Sequence, residues 1–288
     1  MRMEWLNRMM SALDLIEAKM EEPLDIAELA KAAYSSPYHF QRMFYMLTGL
    51  TVAEYVRKRR LTLAAQELAM SGSKVIDVAM KYCYDSPESF SKAFRKLHGI
   101  SPSEARNSGV QLKAFPRISF HLSLKGDKEM EYRIVQRESF TVVGKSIQTT
   151  TKEGENLIEI PKFWRDSHAD GTVAKVAALG KNQDTLGMCY GSQQGGEVFH
   201  YAIAVETDWT ESDSEFECIQ VPAATWAVFT SIGPMPGAIQ EVWNRIYQEW
   251  FPATDYEQAE IPDFELYPPG DPWSDDYRCE VWIPVVKK

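Results

Sequence analysis

Cysteine is scarce in this 288-residue chain: Cys83, Cys189, Cys218 and Cys279 stand far apart, with no C-x-x-C spacing. That pattern supports neither a disulfide framework nor a zinc site, and reduced thiols are the expectation. The five histidines do not cluster either, so no metal and no cofactor is expected. No apolar run approaches the ~18 residues that a membrane-spanning helix needs, so no membrane partner is expected. The N-terminal stretch carries acids along with an amphipathic stripe of Leu6, Met9, Leu13, Ile16 and Met20. This reads as a first helix packing on the hairpin behind it rather than a signal peptide, and the expected location is the cytoplasm. Positive charge is also short, the formal net charge being −10, but the deficit is uneven. Residues 1–112 hold 15 Lys and Arg against 13 Asp and Glu, and the remainder holds 16 against 28. The C-terminal part is therefore not expected to lie on nucleic acid, whereas a local basic face in the first part can meet phosphate.

What is present, first of all, is a repeat. A shift of 50 residues carries Ser36, Pro37, Phe40, Phe44, Gly49 and Glu54 onto Ser86, Pro87, Phe90, Phe94, Gly99 and Glu104. Ile26, Lys31 and Tyr34 match Ile76, Lys81 and Tyr84 at the same shift. A constant offset without a gap marks an internal duplication. Each copy reads as a short helix, a tight turn and a second helix. In the first copy Asp25 with Glu28 forms a capping box ahead of the stripe Ile26, Leu29 and Ala33. Ser36 caps the second helix, Pro37 occupies its first position and Gly49 ends it in a left-handed cap. With Phe40, Phe44 and Leu47 inward, Tyr38, Gln41, Arg42 and Tyr45 take the outer face at i, i+3, i+4 and i+7. In the second copy that face is Glu88, Ser91, Lys92 and Arg95.

Two hairpins could simply pack on each other, with polar residues covering the solvent side. The connector argues otherwise. Thr51 with Glu54 opens a helix that runs to about Met70, roughly 28 Å at 1.5 Å per residue. Successive major-groove faces of DNA lie about 34 Å apart. One rigid helix thus spaces two reading helices by about a DNA turn, with Arg57-Lys58-Arg59-Arg60 on the connector. Arg pairs bidentately with guanine and Gln with adenine, which suits the outer faces to base reading.

The run from Leu24 to Arg106 resembles the two-headed DNA-binding domain of the AraC/XylS family of transcription regulators, above all in its closing F-x-x-x-x-G-I-S-P pattern, Phe94 to Pro102. The resemblance implies base contacts from Tyr38, Gln41 and Arg42, and fewer base and more phosphate contacts from Ser91 and Lys92. It implies double-stranded promoter DNA as a partner, and RNA polymerase as another. The turn glycine usual in the family is replaced by Tyr34 in the first copy and Cys83 in the second, and the usual tyrosine after Ser-Pro by Ala105.

After Asn107-Ser108-Gly109 the periodicity changes. Ile118, Phe120, Leu122 and Leu124 alternate with Ser119, His121 and Ser123, the pattern of a half-buried strand. Further strands are predicted over 132–136, 140–147, 185–190, 198–206, 215–221, 225–232, 264–267 and 278–286, with helices over Pro161–Ser167, 172–179 and Pro236–Trp250. Residues 140–206 and 225–286 match in element order. The expected organisation is an all-α double helix-turn-helix domain over 1–108, a linker and first strand over 109–129, and an α+β domain of duplicated βαββ-type units over 130–288.

Ile232-Gly233-Pro234, the W-x-x-I-Y-x-E-W run from Trp243 to Trp250, Phe264-Glu265-Leu266-Tyr267 and Glu280-Val281-Trp282-Ile283-Pro284-Val285 resemble the gyrase-inhibitor-like effector-binding domain. That family implies a cleft between two copies of an α+β unit. In the last strand Cys279, Val281, Ile283 and Val285 share one face, and Glu280 and Trp282 the other. By spacing alone Glu280 is as well an exposed acid on an edge strand; the resemblance places a pocket acid there. Trp164, Tyr190, Trp226, Trp243, Tyr267 and Trp282 are the aromatic candidates beside it, with plain core as the alternative for Trp226 and Trp243. An acid among aromatics suits a small, hydrophobic, cationic effector, through charge pairing and cation–π contact. Two other readings stay open for this domain: a hydrolase with Glu280 as general base, although no Ser/His/Asp or Cys/His constellation is present, and a protein-interaction module.

Overall fold

The computed structural model describes residues 4–107, 109–119, 130–191, 198–209 and 215–287. They fall into two units, Leu6–His121 and one made chiefly of Leu122–Lys288.

The first unit is helical: α1 (Glu4–Ala18), α2 (Ile26–Ala32), α3 (Pro37–Thr48), α4 (Val52–Met70), α5 (Val75–Lys81) and α6 (Pro87–His98). The repeated sequence produces repeated local geometry. The hydroxyls of Ser36 and Ser86 accept from the backbone N–H of His39 and Ser89, and Gly49 and Gly99 close α3 and α6 in the left-handed region. The Thr51–Glu54 capping box is complete in both directions. Asp25 caps α2 by accepting from Ala27 N–H, but Glu28 does not close a box, because its carboxylate pairs with Lys19. Met9, Leu13, Ile16 and Met20 are buried on α1, as the stripe requires, and the Leu6 side chain lies outside the described residues. The turn residues Tyr34 and Cys83 sit at φ 52° and 61°, the conformation that explains why glycine is usual there.

Most of the basic run on α4 is engaged inside this unit, Lys58 Nζ lying 5.2 Å from the centre of the Phe115 ring. Arg59 pairs with Glu17 and also donates to the carbonyl of Phe115; Arg60 donates to the carbonyls of Met20 and Glu22. Burial raises the Glu17 carboxyl, yet hydrogen bonds from Arg59 and Tyr55 outweigh it and hold the group below the ordinary carboxylate range. Residues 109–119 lie along α4 as an extended strap. Phe115 N–H donates to Thr62 Oγ1 at 2.9 Å, Lys113 N–H to His98 Nδ1 at 3.3 Å, and Arg117 pairs with Asp14. The strand expected from Ile118 to Leu124 does not begin at Ile118 or Ser119, which lie outside any strand; the Ile118 N–H bonds to the Tyr55 hydroxyl instead. Its remainder, with the rest of 120–129, lies outside the described residues.

The second unit is built on an antiparallel sheet of β1 (Tyr132–Arg137), β2 (Phe140–Thr150), β3 (Thr185–Tyr190), β4 (Val198–Thr207), β5 (Glu217–Val221), β6 (Ala224–Ile232), β8 (Asp263–Tyr267) and β9 (Arg278–Lys287), with β7 (Tyr256–Gln258) paired to β9. The order is β1-β6-β9-β8-β3-β4-β2-β5. It is a duplication: β2, then helices α7 (Asn156–Ala169) and α8 (Thr172–Ala177), then β3 and β4 form one copy, and β6, α9 (Gly237–Arg245), β8 and β9 the other. The copies meet where β3 pairs β8, at the middle of the sheet. Helix α7 starts ahead of Pro161, its expected opening residue, and carries that proline inside. Beyond α9 the backbone passes into a π-turn, Ile246–Trp250, where one extra residue per turn re-aims the side chains that come after. One sheet face carries the helices. The other buries Phe140, Leu186, Met188, Trp226, Val228, Phe264 and Trp282 in its own core.

Candidate functional site

Alternation along the strands decides which side chains meet under the helices. β3 and β8 pair with Gly187 opposite Glu265 and Thr185 opposite Tyr267, so Glu265 and Tyr267 share the helix-bearing face. Trp243 of α9 donates from Nε1 to Glu265 Oε1 at 2.6 Å, and Tyr267 donates from its hydroxyl to Glu265 Oε2 at 2.7 Å. Trp164 of α7 stands edge-on to Tyr267, ring centres 5.5 Å apart, and donates from Nε1 to the Tyr201 hydroxyl at 2.7 Å. Burial, followed by the neighbouring Glu265 carboxylate, pushes the Tyr267 phenol well above its ordinary value, so it stays a donor at neutral pH. Glu265 thus sits among Trp164, Tyr201, Trp243 and Tyr267, two aromatics from each copy. Among the described residues its hydrogen bonds come from Trp243 and Tyr267, and no ion pair joins it. Among the described residues this carboxylate is thus met by the polar edges of neutral aromatic side chains, and its charge is left without a countercharge.

Trp164, Trp243 and Tyr267 therefore stand around Glu265, Trp243 as a fully buried core residue stacked on Tyr247, but the acid expected beside them does not. Glu280 is one residue out of phase with Val281, the cross-strand partner of Glu265, and so faces the other side of the sheet. There Arg133 donates to both of its oxygens at 2.9 Å, and Trp282 Nε1 donates to Oε2 at the same distance. Trp282 and Trp226 pack with Phe264 in that second core. Tyr190 is on that face too, its hydroxyl bonded to Ser146 and Glu217. The acid that does line the cage was visible in the sequence: Phe264-Glu265-Leu266-Tyr267 places an acid and a tyrosine two residues apart, hence on one strand face. Tyr201 gave no such signal.

The two expected reading helices differ. On α6, Lys92 and Arg95 are exposed and Ser91 is half-buried, and with Pro87 and Glu88 they line a shallow depression. On α3 the open outer face is not observed. Tyr38 and Gln41 are each 8% exposed, and Arg42 and Tyr45 are half-buried. The side chains fold along their own helix: Arg42 Nη1 donates to the Tyr38 hydroxyl at 3.1 Å, and the Gln41 amide donates to the Pro37 carbonyl at 3.4 Å.

A capped tandem helix-turn-helix joined to a duplicated α+β unit with an aromatic cage defines a DNA-binding transcription regulator with an effector-binding domain. Residues 133–285 match the family of integron-associated effector binding proteins, and residues 29–108 match a helix-turn-helix domain. The chain belongs to that effector-binding family and, through its N-terminal part, to the AraC-type regulators. It is 26% identical to the right origin-binding protein of Escherichia coli (strain K12) over 283 residues, 94% of this chain and 95% of that one. It is 40% identical to the HTH-type transcriptional activator AarP of Providencia stuartii over 93 residues, 32% of this chain and 69% of that one. A solved structure of SAV2435 bound to tetraphenylphosphonium is 26% identical, with a TM-score of 0.49, covering 55% of this chain and 94% of that one. Among the described residues no helix is long and apolar enough to cross a membrane, and no group of histidine, cysteine or acidic side chains could hold a metal.

Proposed function

We propose that this regulator reads promoter DNA with α3 and α6 and that its effector is an aromatic cation bound in the Glu265 cage. One observation carries the effector reading: among the described residues Glu265 is held by two neutral donors, Trp243 and Tyr267, and by no cation. The indole and phenol rings supply cation–π faces and the carboxylate the counter-charge. Glu280 is already neutralised by Arg133 and takes no part. On the DNA side, Arg42 and Gln41 supply base contacts and Lys92 and Arg95 phosphate contacts, which requires Arg42 and Gln41 to leave their intrahelical partners when they engage base edges. AarP is named an activator, and activation acts on RNA polymerase; polymerase is the protein partner in this reading, and the cytoplasm is where it meets the promoter.

The test is calorimetric titration of the full chain with tetraphenylphosphonium, a permanent aromatic cation, and with neutral triphenylphosphine oxide. The cation binds to the parent and loses affinity in Glu265→Gln, while the neutral compound is unaffected by the substitution. Equal loss of both compounds, or of neither, removes the charge-pairing account.

A further inference from the structure

The duplication of the second unit has a particular residue at its centre. A shift of 78 residues carries Gly187 and Ile203, paired between β3 and β4, onto Glu265 and Val281, paired between β8 and β9. Gly187 and Glu265 are thus equivalent positions of the two copies, and they also face each other across the β3–β8 seam. The same shift carries Tyr201 onto Cys279. Each copy therefore has one large and one small residue, in opposite assignment: Gly187 with Tyr201, and Glu265 with Cys279. An acid at both central positions would set two like charges directly opposite each other, which is destabilising.

Glycine at 187 is not demanded by the backbone, since its φ lies outside the left-handed region. It is demanded by space. A Cβ on Gly187 would lie well inside van der Waals contact of the Tyr201 hydroxyl, 3.2 Å from Tyr201 Cζ and 3.5 Å from Glu265 Oε2. The hydroxyl that fills this place is the one that accepts from Trp164 Nε1 at 2.7 Å. We propose that Gly187 is a specificity-determining residue of the effector site: its missing side chain lends the place beside Glu265 to the Tyr201 hydroxyl, so that phenol and carboxylate together face the positively charged ligand. This rests on the Glu265 cage being the effector site, and it adds a residue that contributes no functional group of its own.

The experiment is a double-mutant cycle in the full chain, read by titration with tetraphenylphosphonium. Gly187→Ala drives the whole Tyr201 phenol out of its place, ring and hydroxyl together, into the space the ligand takes, and weakens binding at least tenfold. Tyr201→Phe alone removes one hydroxyl and weakens it less than threefold. The double variant, in which the new methyl meets no hydroxyl, recovers to within threefold of Tyr201→Phe. Should Gly187→Ala fail to fold, the double variant carries the test, because relief of the clash restores both folding and binding. Parent-like binding by Gly187→Ala overturns the proposal. So does a double variant as weak as Gly187→Ala, which would place the damage in the strand. Glu265→Gln separates the two ideas: unchanged cation binding in that variant defeats the cage reading itself, whereas its loss beside an innocuous Gly187→Ala defeats only the role of the glycine.

Discussion

Trp243 Nε1 donates to Glu265 Oε1 at 2.6 Å, joining the second-copy helix to the acid at the middle of the sheet. The bond spends an indole donor on a carboxylate that no cation among the described residues pairs with, and this makes Glu265 and Glu280 experimentally separable. Glu265→Gln keeps one acceptor oxygen, for Trp243, while Tyr267 loses its charged acceptor, and should cost about 1–3 kcal/mol of stability. It should weaken an aromatic cation ten- to a hundredfold, about 1.4–2.8 kcal/mol. Glu280→Gln removes a partly exposed ion pair worth about 0–1 kcal/mol and should leave cation affinity unchanged. Titration and thermal unfolding of the two variants side by side check this.

Cys83 holds a left-handed backbone at φ 61° without being glycine. A side chain in that region costs roughly 1–2 kcal/mol, and glycine returns part of the gain through its freer unfolded chain. Cys83→Gly should therefore raise stability by up to about 1 kcal/mol, seen as a higher urea midpoint. Tyr34 is the less clean site, because the Arg8 guanidinium lies 4.5 Å from the centre of its ring and that contact would be lost.

His98 is buried, with Nδ1 accepting from Lys113 N–H and Nε2 3.2 Å from the Leu61 carbonyl, an arrangement that needs the neutral ring protonated at Nε2. Burial, with Lys113 adding repulsion, lowers its pKa below the usual histidine value of 6.5 even though the Leu61 carbonyl opposes the shift. The unfolded chain then binds a proton that the folded chain refuses. Stability contributed by this site is full above about pH 6.5 and is lost as pH falls below it. Urea unfolding at pH 7.5 and 5.5 should show the loss, and His98→Gln should make the difference between the two pH values smaller.

Lys92 and Arg95 are exposed cations on α6, with Lys96 exposed beside them. Lys92→Ala should weaken DNA binding evenly across sequences and reduce the salt slope by about 1. Arg42→Ala should cost about 1–3 kcal/mol on the cognate site and relax the preference at one base pair. Fluorescence anisotropy with cognate and scrambled duplexes at several salt concentrations separates the two behaviours; a uniform loss for Arg42→Ala would place that side chain on phosphate.

The local features were legible from the residues alone. The 50-residue repeat, the Ser-Pro starts, the left-handed glycine ends and the strand–helix order of the second unit each depend on neighbours a few positions apart, and those neighbours are written next to one another. Tertiary packing settled the rest. Arg59 and Arg60 look like surface cations on a helix until α1 and the 109–119 strap return to claim them. Tyr38 and Gln41 sit on a polar helix face, yet their side chains are buried. The acid of the cage turned on a register between strands about 78 residues apart: period-two alternation says that Glu265 and Tyr267 share a face, and likewise Glu280 and Trp282, but not which face the helices cover. Only the β3–β8 and β8–β9 pairings decide that, because a strand has two equivalent sides until something packs on one of them.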